Sequence, residues 1–245
     1  MKSFFSKKSI LGTMAVAAVC MLGTSNAQAQ EFTIQGDLVS SYVWRGIYQG
    51  GAASFQPTLG FSVGNFSLTA WGSTSLSESN KEIDLTAAYK FGEAGPTLSV
   101  ATLWWDGQAD VANGELTNNY FHFKSGDTGH HFEAGLAYTL PIEKFPLSIA
   151  WYTMFAGADR KTTDEGEEKQ AYSSYVELNY PFSVKGVDLN ATCGVVPYKT
   201  PQYNVNGFAV TNLALKATKA INFNDKFSLP IFAQAIWNPR LEDAH

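Results

Sequence analysis

The sequence predicts an all-β fold, a transmembrane antiparallel β-barrel of about twelve strands, and three observations support this prediction. Segments that alternate polar and apolar residues recur eleven times after Glu31, as the strands of a two-faced sheet do. Asp, Glu, Lys and Arg make up only 16% of the chain, against about 25% in soluble domains. No later run reaches the roughly eighteen apolar residues of a spanning helix. Closed barrels are the other structure that satisfies its backbone polar groups within a bilayer.

Residues 1–29 have the pattern of a cleaved signal peptide. Lys2, Lys7 and Lys8 precede an apolar run at 10–22, and Ala27-Gln28-Ala29 gives an A-x-A cleavage site. We therefore expect an exported chain in the cell outer membrane, with residues 30–245 forming the barrel domain and outer-membrane lipid as its partner. Removal of the peptide leaves 14 Lys and Arg against 22 Asp and Glu, a charge of −8. This charge argues against nucleic acid as a partner.

The first predicted strand, residues 32–44, is the template for the others. Its thirteen residues are long enough to cross a bilayer at about 3.3 Å per residue. Alternation places one set on an outward, mostly apolar face: Phe32, Ile34, Gly36, Leu38, Ser40, Tyr42 and Trp44. The opposite, polar set is Thr33, Gln35, Asp37, Val39, Ser41, Val43 and Arg45.

Ten more strands are predicted from the same alternation, which is clearest at 82–91. The others cover 55–63, 66–76, 97–105, 130–140, 147–155, 172–182, 187–195, 210–221 and 227–237. Short connections at 64–65, 92–96, 141–146, 183–186 and 222–226 alternate with longer ones that include 106–129, 156–171 and 196–209. Short periplasmic turns and long outer loops are typical of bacterial outer-membrane barrels. The first strand is therefore expected to run outward.

Eleven strands leave an unpaired edge, whereas bacterial barrels have an even number of strands. We expect a closing strand after His245 that pairs with 32–44 and with 227–237. The alternative is a barrel that stays open at one seam.

Residues 38–47, LVSSYVWRGI, and the glycine-rich stretch after them resemble the first strand of the TorF-type porin family of bacterial outer-membrane β-barrel proteins. Looser likenesses lie at Ala70-Trp71-Gly72-Ser73 and Trp237-Asn238-Pro239. The resemblance implies an outer-membrane barrel of about twelve strands with an aromatic-terminated last strand. The chain departs from that pattern by stopping at His245. The resemblance implies fold and location more than a biochemical role.

Four charged residues form a candidate constriction of the lumen: Arg45, Glu82, Asp84 and Glu133. The register points all four inward, near the outer ends of their strands. Arg45 either pairs with the acids to hold the wall or contributes to an internal field that selects solutes. The inward charges are Asp37, Glu82, Asp84, Glu133, Glu177 and Asp188 against Arg45, Lys90 and Lys216. This excess of acids predicts a weak preference for cations.

Two sets of aromatic residues follow from the same register. Trp71, Trp105, Tyr152, Tyr175 and Phe232 face inward and are expected to fill a narrow barrel, with sugar stacking as the alternative. The outward set, expected to form girdles at the membrane interfaces, is Tyr42, Trp44, Tyr89, Trp104, Tyr138, Trp151, Tyr180 and Trp237.

No cofactor, metal or catalytic site is predicted. His122, His130 and His131 lie near Glu133, but adjacent His130 and His131 point to opposite faces of a strand. No Gly-x-Ser-x-Gly elbow is present. The sequence therefore predicts a non-enzymatic barrel, a narrow porin-like channel for small solutes, and leaves its oligomeric state open. The alternatives are a structural or adhesive surface barrel without a pore, an outer-membrane enzyme, and a secreted soluble β-protein.

Overall fold

The computed structural model describes residues 30–50, 52–78, 80–106, 119–124, 128–224 and 227–245. Their regular secondary structure consists of sixteen β-strands. This part of the chain has no helix of the length and apolarity needed to cross a membrane. The predicted signal peptide, residues 1–29, lies outside the described residues.

In chain order the strands are β1 (Gln30–Val39), β2 (Val43–Trp44), β3 (Ile47–Tyr48), β4 (Ser54–Val63), β5 (Phe66–Ser75), β6 (Lys81–Lys90), β7 (Thr97–Trp105), β8 (His130–Thr139), β9 (Ser148–Gly157), β10 (Arg160–Thr162), β11 (Glu168–Gln170), β12 (Ser174–Val184), β13 (Val187–Val196), β14 (Ala209–Asn224), β15 (Phe227–Asn238) and β16 (Asp243–Ala244). The eleven long strands overlap the eleven predicted from alternation, which confirms the all-β prediction.

Twelve strands form one antiparallel sheet in the order β1-β4-β5-β6-β7-β8-β9-β12-β13-β14-β15-β16, and β2–β3 and β10–β11 form separate two-stranded pairs. The twelfth strand, β16, pairs with β15 at Trp237↔Ala244 and Asn238↔Asp243. Strands β1 and β16 are the two edges and do not pair with each other among the described residues, so the sheet is not closed.

The two faces of the sheet differ in polarity. On β1, Phe32, Ile34 and Leu38 are 62%, 61% and 70% exposed, whereas Gln35 and Asp37 are buried. We call the face of Phe32 the outer face and the face of Gln35 the inner face. A sheet with one face in water has the opposite arrangement, with its apolar face covered and its polar face solvated. The predicted alternation is therefore confirmed, and its polar side is the protected one.

The first strand ends earlier than predicted. β1 stops at Val39, the chain bends at Ser40 and Ser41, and β2 and β3 form a hairpin. This hairpin lies on the inner face and contacts side chains of β8, β12 and β15. Because elements so far apart in the sheet contact one short hairpin, the sheet curls around it.

The bend corrects two predicted orientations. Tyr42 and Trp44 were expected on the outer face, as members of an aromatic girdle. Tyr42 is instead buried and lies 5.5 Å from the Trp71 ring, and Trp44 lies 5.5 Å from the Trp105 ring. The alternation of 32–44 does not continue past the bend, so the outward assignment fails for Tyr42 and Trp44.

The inner face differs between its two ends. At the end with the short turns, Ser62, Ser67, Ala88 and Ser99 on the inner face are half-buried. At the end with the long connections, the hairpin and the 197–208 connection cover the inner face, and inner-face residues such as Tyr175 are fully buried. The inner space is therefore accessible from the short-turn end and narrowed by the hairpin and the 197–208 connection at the other.

Candidate functional site

The β2–β3 hairpin turns through Arg45 and Gly46, between the paired residues Trp44 and Ile47. Both turn residues have positive φ, 50° for Arg45 and 82° for Gly46, as type I′ hairpin turns require. Positive φ is uncommon for a residue with a side chain. The turn places the Arg45 side chain at the tip of the hairpin, on the inner side of the sheet.

Gly46 is required for space as well as for conformation. A Cβ atom at this position would overlap the carbonyl oxygen of Thr211. Thr211 is the extra residue of a β-bulge in β14, where the register shifts between Gly194 and Val195. The Asn238 side chain also donates a hydrogen bond of 3.0 Å to the Gly46 carbonyl. The hairpin is therefore held by close backbone approach to β14 and by a side chain of β15.

Arg45 is the centre of the site. Its Nη1 and Nη2 atoms each donate a hydrogen bond of 2.7 Å to one carboxylate oxygen of Glu133, and Nη1 also donates one of 2.7 Å to the Tyr203 hydroxyl. The guanidinium carbon lies 4.6 Å from the centre of the Tyr152 ring and 4.9 Å from that of Tyr175. These contacts combine a bidentate ion pair with cation–π stacking.

A second β-bulge lies beside Glu133, where the register between β8 and β9 shifts after Phe132. Bulges re-aim side chains next to functional sites. These two bulges therefore lie where the sheet meets the hairpin, whereas a third register shift, at Asn222 and Asn224, lies at the short-turn end.

Tyr203 was not predicted as part of the site. It belongs to the connection between β13 and β14, which folds inward and buries Tyr203 and Val205 against Tyr175 and Val196. The Trp44 ring stacks on Tyr203 with centres 5.5 Å apart. Burial raises the pKa of the Tyr203 phenol, so it remains a neutral hydroxyl that can accept the bond from Arg45. The apolar alternation Tyr203, Val205 in an otherwise polar loop is the signal that indicates an inward fold.

The four predicted constriction residues all lie on the inner side, but they do not form one cluster of ion pairs. Arg45 pairs with Glu133, whereas Glu82 and Asp84 make no ion pair with it in the described part of the chain. Glu82 is 2% exposed. The Tyr42 hydroxyl, the Trp105 indole and the Asp84 carboxyl lie beside its carboxyl, yet no described group is aligned to hydrogen-bond either carboxylate oxygen.

The inward aromatic prediction is confirmed. Trp71, Trp105, Tyr152 and Tyr175 surround the hairpin, and the Phe232 ring lies 4.1 Å from the Lys216 ammonium. Among the predicted girdle residues, Tyr89, Trp151 and Trp237 are exposed on the outer face. Trp104 is on that face but buried, because Tyr120 and His130 cover it.

The histidines face opposite ways, as predicted. His130 is hydrogen-bonded to Thr102 and to the Tyr120 carbonyl, both at 2.6 Å, whereas His131 packs edge-on against Trp105. Among the described residues, no group of three or more His, Cys, Asp or Glu side chains is placed to hold a metal ion.

Fold and site together define an all-β protein with a large curled antiparallel sheet and an arginine-tipped hairpin inserted on its polar face. No family model matches the chain, and neither the search of curated proteins nor that of solved structures found a match.

Proposed function

We propose that the protein is an outer-membrane β-barrel that passes small solutes through a narrow polar interior, with the β2–β3 hairpin as its constriction. The observation that carries the proposal is the exposed apolar outer face over a protected polar inner face, which is the arrangement of outer-membrane barrels. The proposal includes membership of the TorF-type porins. Three residues of the motif that resembles this family have contacts in the hairpin: Trp44 stacks on Tyr203, Arg45 pairs with Glu133, and Gly46 lies against the Thr211 carbonyl.

The outer face is too apolar for contact with water over its whole extent. Leu85, Leu136 and Ile149, in the middle of three different strands, are 44%, 52% and 44% exposed. Water-soluble monomers rarely expose a continuous apolar patch of more than a few hundred Å², and each exposed Å² of apolar surface costs about 25 cal/mol in water. Lipid contact removes this cost.

The inner face offers a polar path toward the constriction. Near the short turns it carries small residues such as Ser62, Ser67 and Ser99, which leave room for water. A ladder of hydrogen bonds continues the polar surface on β12 and β13, where Asn190 donates to Asn179 at 2.9 Å. The bulky layer of Trp44, Arg45 and Tyr203 follows at the other end. A solute therefore meets its narrowest point at the hairpin.

The charges of the inner face favour cations. Arg45 and Glu133 neutralise each other, which leaves five acids against Lys90 and Lys216 among the nine inward charges named above. Fields inside a low-dielectric wall are stronger than at an open surface, and salt screens them over about 10 Å at 0.1 M. The cation preference is expected to be weak and to fade at high salt.

Reversal potentials test this function directly. Purified protein is reconstituted in a planar bilayer under a KCl gradient, and the expected potential has the sign of K⁺ preference and shrinks as both concentrations rise. An anion-selective potential would contradict the proposal. Quenching of Trp151 and Trp237 fluorescence by brominated lipid tests membrane contact of the outer face separately.

The packing of the hairpin across the interior favours a second candidate, a surface barrel without a pore. The Trp44 ring and Tyr203 stack across the interior there. Lipid quenching of the outer tryptophans without any conductance, in wild type and in hairpin variants alike, would favour this second function.

A further inference from the structure

A cavity of about 340 Å³ lies at the long-connection end of the sheet, between the hairpin and strands β4 to β7. Its walls include Tyr42, Trp44, Ser73, Glu82 and Trp105. This volume is at the lower end of the range for small-molecule sites. The strand ends Ser54 and Ser75 also line it, which places its opening on the side of the long connections.

Glu82, at the wall of this cavity, is a buried acid that forms no ion pair with any residue that the structure describes. Neither of its carboxylate oxygens has a hydrogen-bond partner among the described residues, and the side chain is almost fully buried. The undescribed segments between β7 and β8, 107–118 and 125–127, contain no Lys, Arg or His. An ionised carboxylate buried without a partner is costly. A cation in the cavity would remove that cost.

The nearby positive charges are already engaged or lie elsewhere. Arg45 forms its bidentate pair with Glu133. Lys81 is one of the residues that line the cavity, but it is exposed and next to Glu82 in β6, so its side chain leaves from the opposite face of the strand. The Lys81 backbone amide donates a hydrogen bond of 2.8 Å to the Asp106 carboxylate. Asp106 also lines the cavity, so its wall contains a second carboxylate.

The rest of the lining suits an organic cation. Tyr42, Trp44 and Trp105 contribute aromatic residues to the cavity wall, and aromatic faces attract desolvated cations. No set of three metal-ligating side chains accompanies Glu82 in the described residues, which favours an ammonium ion over a coordinated metal.

We propose that this cavity binds a small organic ammonium ion, with its charge toward Glu82 and its alkyl groups against the Tyr42 and Trp105 rings. The inference concerns binding at the long-connection end and does not require the interior to conduct. Absence of ion conductance would therefore not contradict binding of the ammonium ion, and absence of ammonium binding would not contradict conductance.

The test uses the full chain in detergent micelles and two probes of matched shape. Choline carries the charge, and its carbon isostere 3,3-dimethylbutan-1-ol does not. Isothermal titration is expected to show choline binding at least about ten-fold tighter than the alcohol, as a cation–π and carboxylate site requires. Equal affinities for the two probes, or no binding of choline, would overturn the inference.

Two variants locate the site. Glu82→Gln removes the charge while keeping the shape, and it is expected to weaken choline binding about ten-fold or more. Asp188→Asn is the control, because Asp188 is an acid at the short-turn end, hydrogen-bonded to Ser183. Unchanged affinity in Glu82→Gln, or an equal loss in Asp188→Asn, would contradict the assignment. The comparison of probes on the wild type stands even if Glu82→Gln does not fold.

Discussion

Arg45 and Glu133 are 88 positions apart in the chain and form two parallel hydrogen bonds of 2.7 Å. The pair joins the tip of an inserted hairpin to the wall of the sheet. Both side chains are nearly excluded from solvent, with exposures of 12% and 6%. The hairpin therefore depends on an ion pair that has little competition from water.

Removal of one partner of this pair is expected to cost more than removal of both. Arg45→Ala leaves the Glu133 carboxylate buried and unpaired, which costs about 3–5 kcal/mol, whereas the apolar replacement Arg45→Met/Glu133→Leu restores much of that loss. Urea unfolding of the refolded protein, followed by tryptophan fluorescence, measures the free energies of unfolding of the wild type, of Arg45→Ala, of the single variants Arg45→Met and Glu133→Leu, and of the double variant. If the loss of unfolding free energy in the double variant equals the sum of the losses in the two single variants, the two residues are not coupled.

Gly46→Ala is expected to release the hairpin from β14. A Cβ atom at this position would overlap the Thr211 carbonyl, in addition to the strain of φ 82°. Gly186→Ala is the matched control, since Gly186 has φ 77° and nothing within 4 Å of an added Cβ. Backbone strain alone costs about 1–2 kcal/mol, so the free energy of unfolding should fall further in Gly46→Ala than in Gly186→Ala. Equal losses of unfolding free energy in the two variants would show that the Thr211 carbonyl can move away from the added Cβ atom without an energetic cost.

The outer and inner faces can be compared at neighbouring positions of β6. Leu85 is exposed on the outer face, and Thr86 is half-buried on the inner face. Because the proposed barrel places Leu85 against lipid near mid-strand, Leu85→Arg should lower stability in bilayers by about 2–4 kcal/mol, and Thr86→Arg much less. Equal losses, measured by folding into lipid vesicles under urea, would show that the assignment of the faces is wrong.

Asp159 joins the two ends of the connection between β9 and β12. Its carboxylate accepts a hydrogen bond of 2.8 Å from the Ser173 backbone amide. Burial raises the pKa of this carboxyl above its ordinary value of about 3.9. A carboxyl whose pKa is higher in the folded than in the unfolded state stabilises the folded protein fully below about pH 4. This contribution is lost as the pH rises through the folded-state pKa. The stability of the wild type relative to Asp159→Asn should therefore fall between about pH 4 and neutrality. A difference that stays constant or increases over this range would contradict the assignment.

Much of the fold could be predicted because alternation directly encodes which side of a strand is polar. Leu85 and Thr86 in β6, and Gln35 and Asp37 in β1, lie on the faces that period two assigns to them. The hairpin could not be predicted by the same reasoning, since Tyr42 and Trp44 continue the alternation of β1 in sequence. The local signal against a straight strand is Gly46, because glycine suits the second position of a two-residue type I′ loop.

The candidate site was predicted in part for the same reason. Alternation placed Glu82, Asp84 and Glu133 on the inner side, and all three lie there. It also placed Arg45 inside, although the structure achieves this by folding the chain back rather than by extending the strand. Tyr203 was missed because its position depends on the inward fold of a long connection, which tertiary packing against Tyr175 decides.

Single-channel recording of wild type beside Trp44→Ala tests most directly whether the hairpin constricts a passage. The substitution removes the ring that stacks on Tyr203 but keeps the Arg45–Glu133 pair, and Trp237→Ala, on the exposed outer face, is the control. We expect a small unit conductance for the wild type and for Trp237→Ala, and a clearly larger one for Trp44→Ala. Identical conductances for all three proteins, or none from any of them, would contradict a passage that narrows at the hairpin.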